Sequence, residues 1–152
     1  MNFFPAWNDL NVGDSVTFYR TFTEEDVENF IRLTGDFNPF HTDNHAAKKC
    51  GFKKRVVPGL LTSSMIAHAG GTLVVEPYAG AKVFFQYLAP VYVNESICAR
   101  VAVTGKNHLK NQLALKINCT NQQGEVVLEG EVTGRIFPAY SGGNSLEYVA
   151  DK

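Results

Sequence analysis

Apolar and polar residues alternate along the second half of the chain, a pattern that indicates β-strands with one buried face. The turn sequence Asn-Gln-Gln-Gly at 121–124 separates the last two such stretches and predicts a hairpin. One more alternating stretch near the N-terminus predicts a further strand. The predicted strands cover residues 13–23, 81–88, 96–105, 111–121 and 125–137.

Between the first and second strands, apolar residues recur at helical rather than strand spacing. Thr23, with Asp26 three residues later, resembles a capping box that begins a helix, with Asp in place of the usual Glu. Gly35 is expected to end this helix. Its apolar face is expected to consist of Val27, Phe30, Ile31 and Leu33.

Two further helices are predicted before the second strand. Asp43 is expected to cap a short helix over residues 45–49. A longer helix is predicted over about residues 60–75, directly after a Pro-Gly pair. Its residues are mostly small or apolar, so this helix can lie deep against a sheet, where bulkier residues would not fit.

One strand, then helices, then four long antiparallel strands predict an α+β fold. The economical arrangement is a single hotdog domain, in which a long apolar helix is wrapped by one curved antiparallel β-sheet. A length of 152 residues fits one such domain. We expect its core over about residues 13–137, followed by a C-terminal extension over residues 138–152.

Composition excludes several classes of function. Charged residues make up 19% of the chain and the net charge is -1, whereas a nucleic-acid-binding protein needs a basic surface. The short basic run Lys53, Lys54 and Arg55 is more typical of a solvated surface than of a site for the phosphates of a ligand. No stretch approaches the roughly 20 apolar residues of a membrane span, and the N-terminus lacks the pattern of a signal peptide.

The three cysteines, Cys50, Cys98 and Cys119, are odd in number and widely spaced. This argues against a disulfide framework, and the absence of a CxxC pair argues against a zinc site. Reduced thiols are typical of intracellular proteins, so we expect a cytoplasmic protein.

The segment after the first helix carries the candidate chemistry. Asp36 and His41 lie five residues apart with Pro39 forcing a turn between them, so a carboxylate and an imidazole can reach one water molecule. Asn38 can hydrogen-bond to either partner and orient it. Addition of water to a conjugated double bond needs a base, an acid and a group that holds the developing enolate oxygen. The backbone N–H of Gly59, at the start of the apolar helix, can be that group.

Each of these residues also has an ordinary structural interpretation. An Asp-x-Asn-Pro segment is commonly a turn, in which Asp36 caps the Asn38 amide. His41 alone is more often a loop histidine than a catalyst, and Gly59 alone is an ordinary helix start. Ser63, like the serine after it, is more often a small packing residue than a nucleophile. The other histidines are isolated in the sequence and are interpreted as structural or solvated: His45, His68 and His108.

Together these motifs resemble the MaoC-like dehydratase family, which includes the (R)-specific enoyl-CoA hydratases. The most specific signal is Gly-Asp-x-Asn-Pro-x-His at 35–41, which is similar to the hydratase signature of that family. Segments at 46–61 and 83–91 also resemble family segments, and the resemblance extends from about residue 13 to residue 137. It implies a hotdog homodimer that acts on a thioester of coenzyme A or acyl carrier protein, with no metal and no cofactor.

The resemblance also implies roles for individual residues. Asp36 and His41 would jointly activate the water, with Asn38 supporting them. The Gly59 amide would polarise the thioester carbonyl. The thioester tunnel would lie between the apolar helix and the preceding loop, near the dimer interface. The residues expected to contact the substrate are Phe37, Pro39, Phe40, Pro58, Leu60 and Ser63.

Pro58 is a departure from the family pattern, which commonly has His directly before this glycine. Because Asp36, Asn38 and His41 are all present, we still expect an enzyme that adds water to a trans-2-enoyl thioester in fatty-acid metabolism, or dehydrates a 3-hydroxyacyl thioester in reverse. Two alternatives remain. A hotdog thioesterase would release free thiol from acyl-CoA, although a histidine is less natural there. A non-catalytic subunit would bind an acyl thioester without turnover, and Pro58 is the feature that favours it.

Overall fold

Five strands and five helices make up the described part of the chain. The computed structural model describes residues 5–138, so the predicted C-terminal extension after Pro138 lies outside the described residues. The strands are β1 (Ser15–Thr21), β2 (Tyr78–Tyr87), β3 (Ser96–Asn107), β4 (Gln112–Thr120) and β5 (Val126–Ile136). The helices are α1 (Glu24–Thr34), α2 (Pro39–Thr42), α3 (Asn44–Lys49), α4 (Gly59–Ser63) and α5 (Ile66–Thr72). Every predicted strand is present, and the α+β class is confirmed.

The strands form one antiparallel sheet in the order β1-β3-β4-β5-β2. Alternate residues of the central strands point to one face and are buried there, as the sequence pattern predicted. The register of β3 and β4, with Val101 opposite Ile117, places these residues side by side. The buried rows of these two strands are Ile97, Ala99, Val101 and Val103, and Leu113, Leu115, Ile117 and Cys119.

In the described part of the chain, strand β2 lies at one edge of the sheet and pairs with β5 alone. Two glycines of β5 let the aromatic residues of β2 lie close to the backbone of β5. A Cβ added at Gly130 would lie 2.8 Å from the Phe84 carbonyl oxygen, and one added at Gly134 would lie 2.7 Å from the ring of Tyr78. The small residues of β5 therefore determine how closely the edge strand can approach.

Helix α1 begins at the predicted capping box. Thr23 Oγ1 accepts a hydrogen bond from Asp26 N–H (3.2 Å), and Asp26 Oδ2 accepts one from Thr23 N–H (3.0 Å). The second of these bonds is the main reason that the pKa of Asp26 is lowered. Val27 and Ile31 are buried as predicted, but the inclusion of Leu33 in the apolar face was wrong, because Leu33 is 84% exposed. Two residues along a helix correspond to a rotation of about 200°, so Leu33 points away from the face of Ile31.

The predicted long helix over residues 60–75 is two short helices, α4 and α5, so the prediction of one continuous helix was wrong. Side-chain hydroxyls at the break bond to carbonyls of the preceding turn: Ser63 Oγ to Leu60 (3.1 Å) and Ser64 Oγ to Leu61 (2.6 Å). Such bonds compete with the helical ladder. The apolar stripe continues across the break, because Met65, Ala69 and Leu73 are buried in the same core as the sheet.

None of the helices within residues 5–138 is both long enough and apolar enough to cross a membrane.

Candidate active site

The loop after α1 brings Asp36 and His41 together. Gly35 adopts a left-handed conformation (φ 74°) that ends α1, and Asp36 follows it directly. His41 lies in the one-turn helix α2, whose first residue is Pro39. Asp36 Oδ2 is 3.7 Å from His41 Nε2. This separation is too long for a direct hydrogen bond, and it allows one water molecule to lie about 2.8 Å from both atoms.

His41 is buried, and the backbone sets its tautomer. The residue is 7% exposed, and its Nδ1 lies 2.7 Å from the carbonyl oxygen of Val56. A carbonyl oxygen can only accept, so Nδ1 carries the hydrogen and donates it. The Nε2 atom of the neutral ring therefore keeps its lone pair on the side of Asp36. The Asp36 side chain is 44% exposed, so the site pairs a buried imidazole with a carboxylate that solvent reaches.

A cleft of about 610 Å³ lies beside this pair. Asp36, His41 and Gly59 all line it, so the three predicted parts of the catalytic site share one cavity. As the first residue of α4, Gly59 has a backbone N–H without an acceptor inside the helix. Because α4 has five residues, this N–H rather than a long helix dipole is what it offers a ligand. The remaining lining residues are Phe40, Phe52, Val56, Val57, Leu60, Thr62, Tyr87, Leu88, Ala89, Pro90, Val91 and Val127.

The structure brings only some of the predicted substrate-contacting residues to this cleft. Phe40 and Leu60 line it, whereas Phe37, Pro39, Pro58 and Ser63 do not. Pro58 is buried, and its carbonyl accepts a hydrogen bond from Thr62 N–H (3.1 Å), so it forms the beginning of α4. Phe37 borders a separate cavity of about 300 Å³. A substrate contact for these four residues stays a prediction.

Asn38 contributes to the site through its backbone. Its carbonyl accepts a hydrogen bond from His41 N–H (2.9 Å) at the start of α2, and its side chain does not cap that helix. The orientation of Asp36 or His41 by the Asn38 amide group therefore stays a prediction.

Two residues beside the site were not predicted from the sequence. The hydroxyl of Tyr87, on β2, lies 3.2 Å from Ser63 Oγ, and a Cβ added at Gly59 would lie 3.0 Å from the Tyr87 ring. Arg55 Nε–H donates to the carbonyl of His41 (2.8 Å), although the basic run had been interpreted as a solvated surface. These bonds join residues 24 and 14 positions apart, so no local spacing in the sequence indicates them.

Solved structures confirm the fold. An (R)-hydratase from A. caviae involved in PHA biosynthesis has a TM-score of 0.80 and 26% identity, and the match covers 84% of this chain and 98% of that one. An (R)-hydratase from Pseudomonas aeruginosa has a TM-score of 0.78 and 26% identity, over 86% of this chain and 84% of that one. The fold is therefore the predicted hotdog arrangement, except that the helices α4 and α5 replace the single long apolar helix.

Sequence comparison leads to the same group of proteins. Residues 9–123 match the MaoC like domain, and the chain belongs to that family. A mitochondrial 3-hydroxyacyl-(acyl-carrier-protein) dehydratase of Solanum lycopersicum is 32% identical over 136 residues, covering 85% of this chain and 79% of that protein. An (R)-specific enoyl-CoA hydratase of Rhodospirillum rubrum is 32% identical over 130 residues, covering 84% of this chain and 88% of that protein.

Proposed function

We propose that this protein adds water reversibly to a trans-2-enoyl thioester and so interconverts it with a 3-hydroxyacyl thioester in fatty-acid metabolism. The observation that carries the proposal is the 3.7 Å separation of Asp36 Oδ2 and His41 Nε2 on the wall of an apolar cleft. The relatives support it, because one is named as a dehydratase of 3-hydroxyacyl thioesters and the other as an enoyl-CoA hydratase.

The geometry of the pair suits activation of one water molecule. Nδ1 of His41 already carries a hydrogen, so Nε2 accepts the proton of water, while the Asp36 carboxylate accepts a hydrogen bond from the other O–H. The water oxygen attacks the β-carbon of the enoyl group, and electron density moves to the thioester oxygen. The Gly59 N–H stabilises this developing charge. Nε2 of His41 then gives this proton to the α-carbon, so the hydroxyl and the proton of one water molecule are added across the double bond.

The cleft suits an acyl chain better than a polar substrate. Its volume of about 610 Å³ falls in the usual range for small-molecule sites, and most of its lining side chains are apolar. We propose the (R) stereochemistry because two of the relatives are named as (R)-specific enoyl-CoA hydratases. The carrier is named as coenzyme A in some relatives and acyl carrier protein in others, and both present the same thioester to the site.

We also propose that the protein is a homodimer joined along β2. Among residues 5–138 no strand pairs with the outer edge of β2, which exposes Val83 (52%) and Phe84 (62%). An exposed apolar edge strand readily pairs with another chain. Tyr87 ends β2 and also lines the cleft, so a second copy along this edge would lie beside the site. Sedimentation should show a dimer, and Phe84→Lys should shift it to monomer; a monomeric unmodified chain contradicts the proposal.

We also propose that the protein is located in a reducing compartment such as the cytoplasm. All three cysteines lie in the described part of the chain, and none forms a disulfide. Two relatives are named as mitochondrial, so fractionation of cells with an antibody against this protein decides its location.

Hydration of crotonyl-CoA, followed by the loss of enoyl absorbance, tests the function. Asp36→Asn and His41→Gln should each lower kcat by about 10²–10⁴-fold, the usual contribution of general acid–base groups. Asp43→Asn is the matched control, because Asn also caps a helix and Asp43 Oδ1 only accepts from Ala46 N–H. A loss below about 10-fold for both site variants contradicts the assignment. Release of free thiol would indicate a thioesterase, and binding without turnover would indicate a non-catalytic subunit.

A further inference from the structure

Three hydrogen bonds join the Arg55-Val56 pair to the Phe40-His41 pair. Val56 N–H donates to the carbonyl of Phe40 (3.0 Å). His41 Nδ1–H donates to the carbonyl of Val56 (2.7 Å). Arg55 Nε–H donates to the carbonyl of His41 (2.8 Å). Two consecutive residues therefore hold His41 both at its ring and at its backbone.

Arg55 is itself attached to other parts of the fold. Its backbone N–H donates to Asn44 Oδ1 in α3 (2.8 Å). Its carbonyl accepts from the N–H of Val93, in the segment that leads to β3 (3.2 Å). The backbone of Arg55 is thus hydrogen-bonded to two other segments. These bonds fix the position from which its guanidinium reaches the carbonyl of His41.

The side chain of Arg55 differs in environment from the basic residues before it. Lys53 and Lys54 are exposed, whereas Arg55 is half-buried. Helix α2 has four residues, so the carbonyls at its end lack partners within the helix, and a charged donor makes a stronger bond to such a carbonyl than a neutral one. Within residues 5–138 Arg55 forms no ion pair, and it does not line the 610 Å³ cleft. The carbonyl of His41 is the partner of its Nε–H.

We propose that Arg55 is a positioning residue, whose guanidinium holds the backbone of His41 so that Nε2 faces Asp36. The inference rests on the hydratase function proposed above. A shift of about 1 Å in a reacting group can lower a rate roughly 100-fold, so one bond at the His41 carbonyl can control the rate without contact to the substrate. Arg55 then affects kcat through His41 and leaves substrate binding unchanged.

Three variants test this role. Arg55→Met keeps a long apolar stem and removes every donor, and it should lower kcat by about 10–100-fold with an unchanged KM. Arg55→Lys keeps a charged donor on a similar stem and should restore part of kcat. Lys54→Met is the matched control at the exposed neighbouring position and should retain both kcat and KM. If Arg55→Met does not fold, Arg55→Gln, which is uncharged and shorter but still polar, takes its place, and a wild-type kcat in that variant overturns the proposal.

Substrates with and without phosphates separate positioning from phosphate binding. Crotonyl-CoA carries phosphates, and the crotonyl thioester of N-acetylcysteamine carries none. Arg55→Met should lower kcat by the same factor for both. A raised KM for crotonyl-CoA alone, with unchanged kcat, would show that Arg55 binds phosphates and would overturn the proposal.

A double-variant cycle tests whether Arg55 acts through His41. In the His41→Gln protein, Arg55→Met should cause no further loss of the residual activity, because its target is already removed. Losses that multiply would overturn the proposal. The two inferences fail separately: full activity of Asp36→Asn and His41→Gln refutes the hydratase site, whereas loss in those variants with a wild-type kcat for Arg55→Met refutes only the role of Arg55.

Discussion

One methyl group added at Gly59 tests whether the site depends on the contact between α4 and β2. A Cβ at this position would lie 3.0 Å from Cε1 and Cζ of Tyr87, whereas carbon atoms in contact are normally about 3.5–4.0 Å apart. Gly59 does not adopt the left-handed conformation that favours glycine, so alanine fits the backbone. The substitution keeps the backbone N–H that is proposed to bind the thioester oxygen. Any loss of activity in Gly59→Ala therefore reports the contact between Gly59 and Tyr87, because the hydrogen-bond donor is retained.

The structure offers two ways to relieve this overlap. If the Tyr87 ring stays in place, α4 is overpacked, at a typical cost of about 1–3 kcal/mol. If the ring, in a residue that is 47% exposed, moves into solvent, it loses the hydrogen bond to Ser63, worth about 0.5–1.5 kcal/mol, together with its contact on Gly59. The protein adopts whichever of these two arrangements costs less free energy. Returning to the original geometry for catalysis then costs about 1–2 kcal/mol, which lowers kcat/KM about 5- to 30-fold.

The assay is kcat/KM for crotonyl-CoA in Gly59→Ala, Tyr87→Ala and the double variant. The three atoms nearest to the added methyl all belong to the Tyr87 ring, so Gly59→Ala should cost less in the Tyr87→Ala background. Gly71→Ala is the control glycine, because a Cβ there would meet no other described part of the fold within 4 Å beyond its own helix. An equal loss in both backgrounds would refute this reasoning and would mean that the methyl group blocks the substrate directly.

Three further predictions concern the fold. Gly134→Ala should lower the free energy of unfolding by about 3 kcal/mol or prevent folding, because its Cβ would overlap the backbone of β2, and denaturant titration beside Gly71→Ala measures this. The lowered pKa of Asp26 contributes stability that is complete above its ordinary value of 3.8 and is lost as pH falls through the lower folded value. In unfolding curves, the advantage of wild type over Asp26→Asn should therefore shrink in acid. A difference that does not change with pH contradicts this prediction. Burial raises the pKa of Cys119 to about 12, so in native protein an alkylating reagent at pH 8 should label exposed Cys50 and leave Cys119 unmodified, as mass spectrometry of the peptides would show.

Local chemistry made much of the fold predictable from the sequence. The capping box at Thr23 and the left-handed Gly35 satisfy backbone groups within one turn of a helix, so a few neighbouring residues suffice to place both ends of α1. Strand alternation was equally informative, because every second residue of β4 is buried in the described structure. The motif at 35–41 also predicted that Asp36 and His41 lie close together, since a turn brings residues five apart into proximity.

Apolar periodicity was less informative where side chains compete with the backbone. The helix predicted over residues 60–75 was expected to lie deep, and Met65, Ala69 and Leu73 are buried, but apolar periodicity does not indicate where hydroxyls interrupt the helical ladder. Ser63 and Ser64 bond to carbonyls of the preceding turn, and α4 ends there. The position of the break became visible only with those hydrogen bonds.

By itself, the sequence determined the order of the strands, the resemblance to the family and the proximity of the Asp36 and His41 side chains. Only the tertiary structure decided how that pair is held. The tautomer of His41 depends on the carbonyl of Val56, and its backbone on the guanidinium of Arg55, both more than ten residues away along the chain. The packing of Tyr87 on Gly59 joins an edge strand to a helix in the same way. Residue spacing encodes contacts within one element, whereas these contacts form between elements that meet only when the sheet and helices pack together.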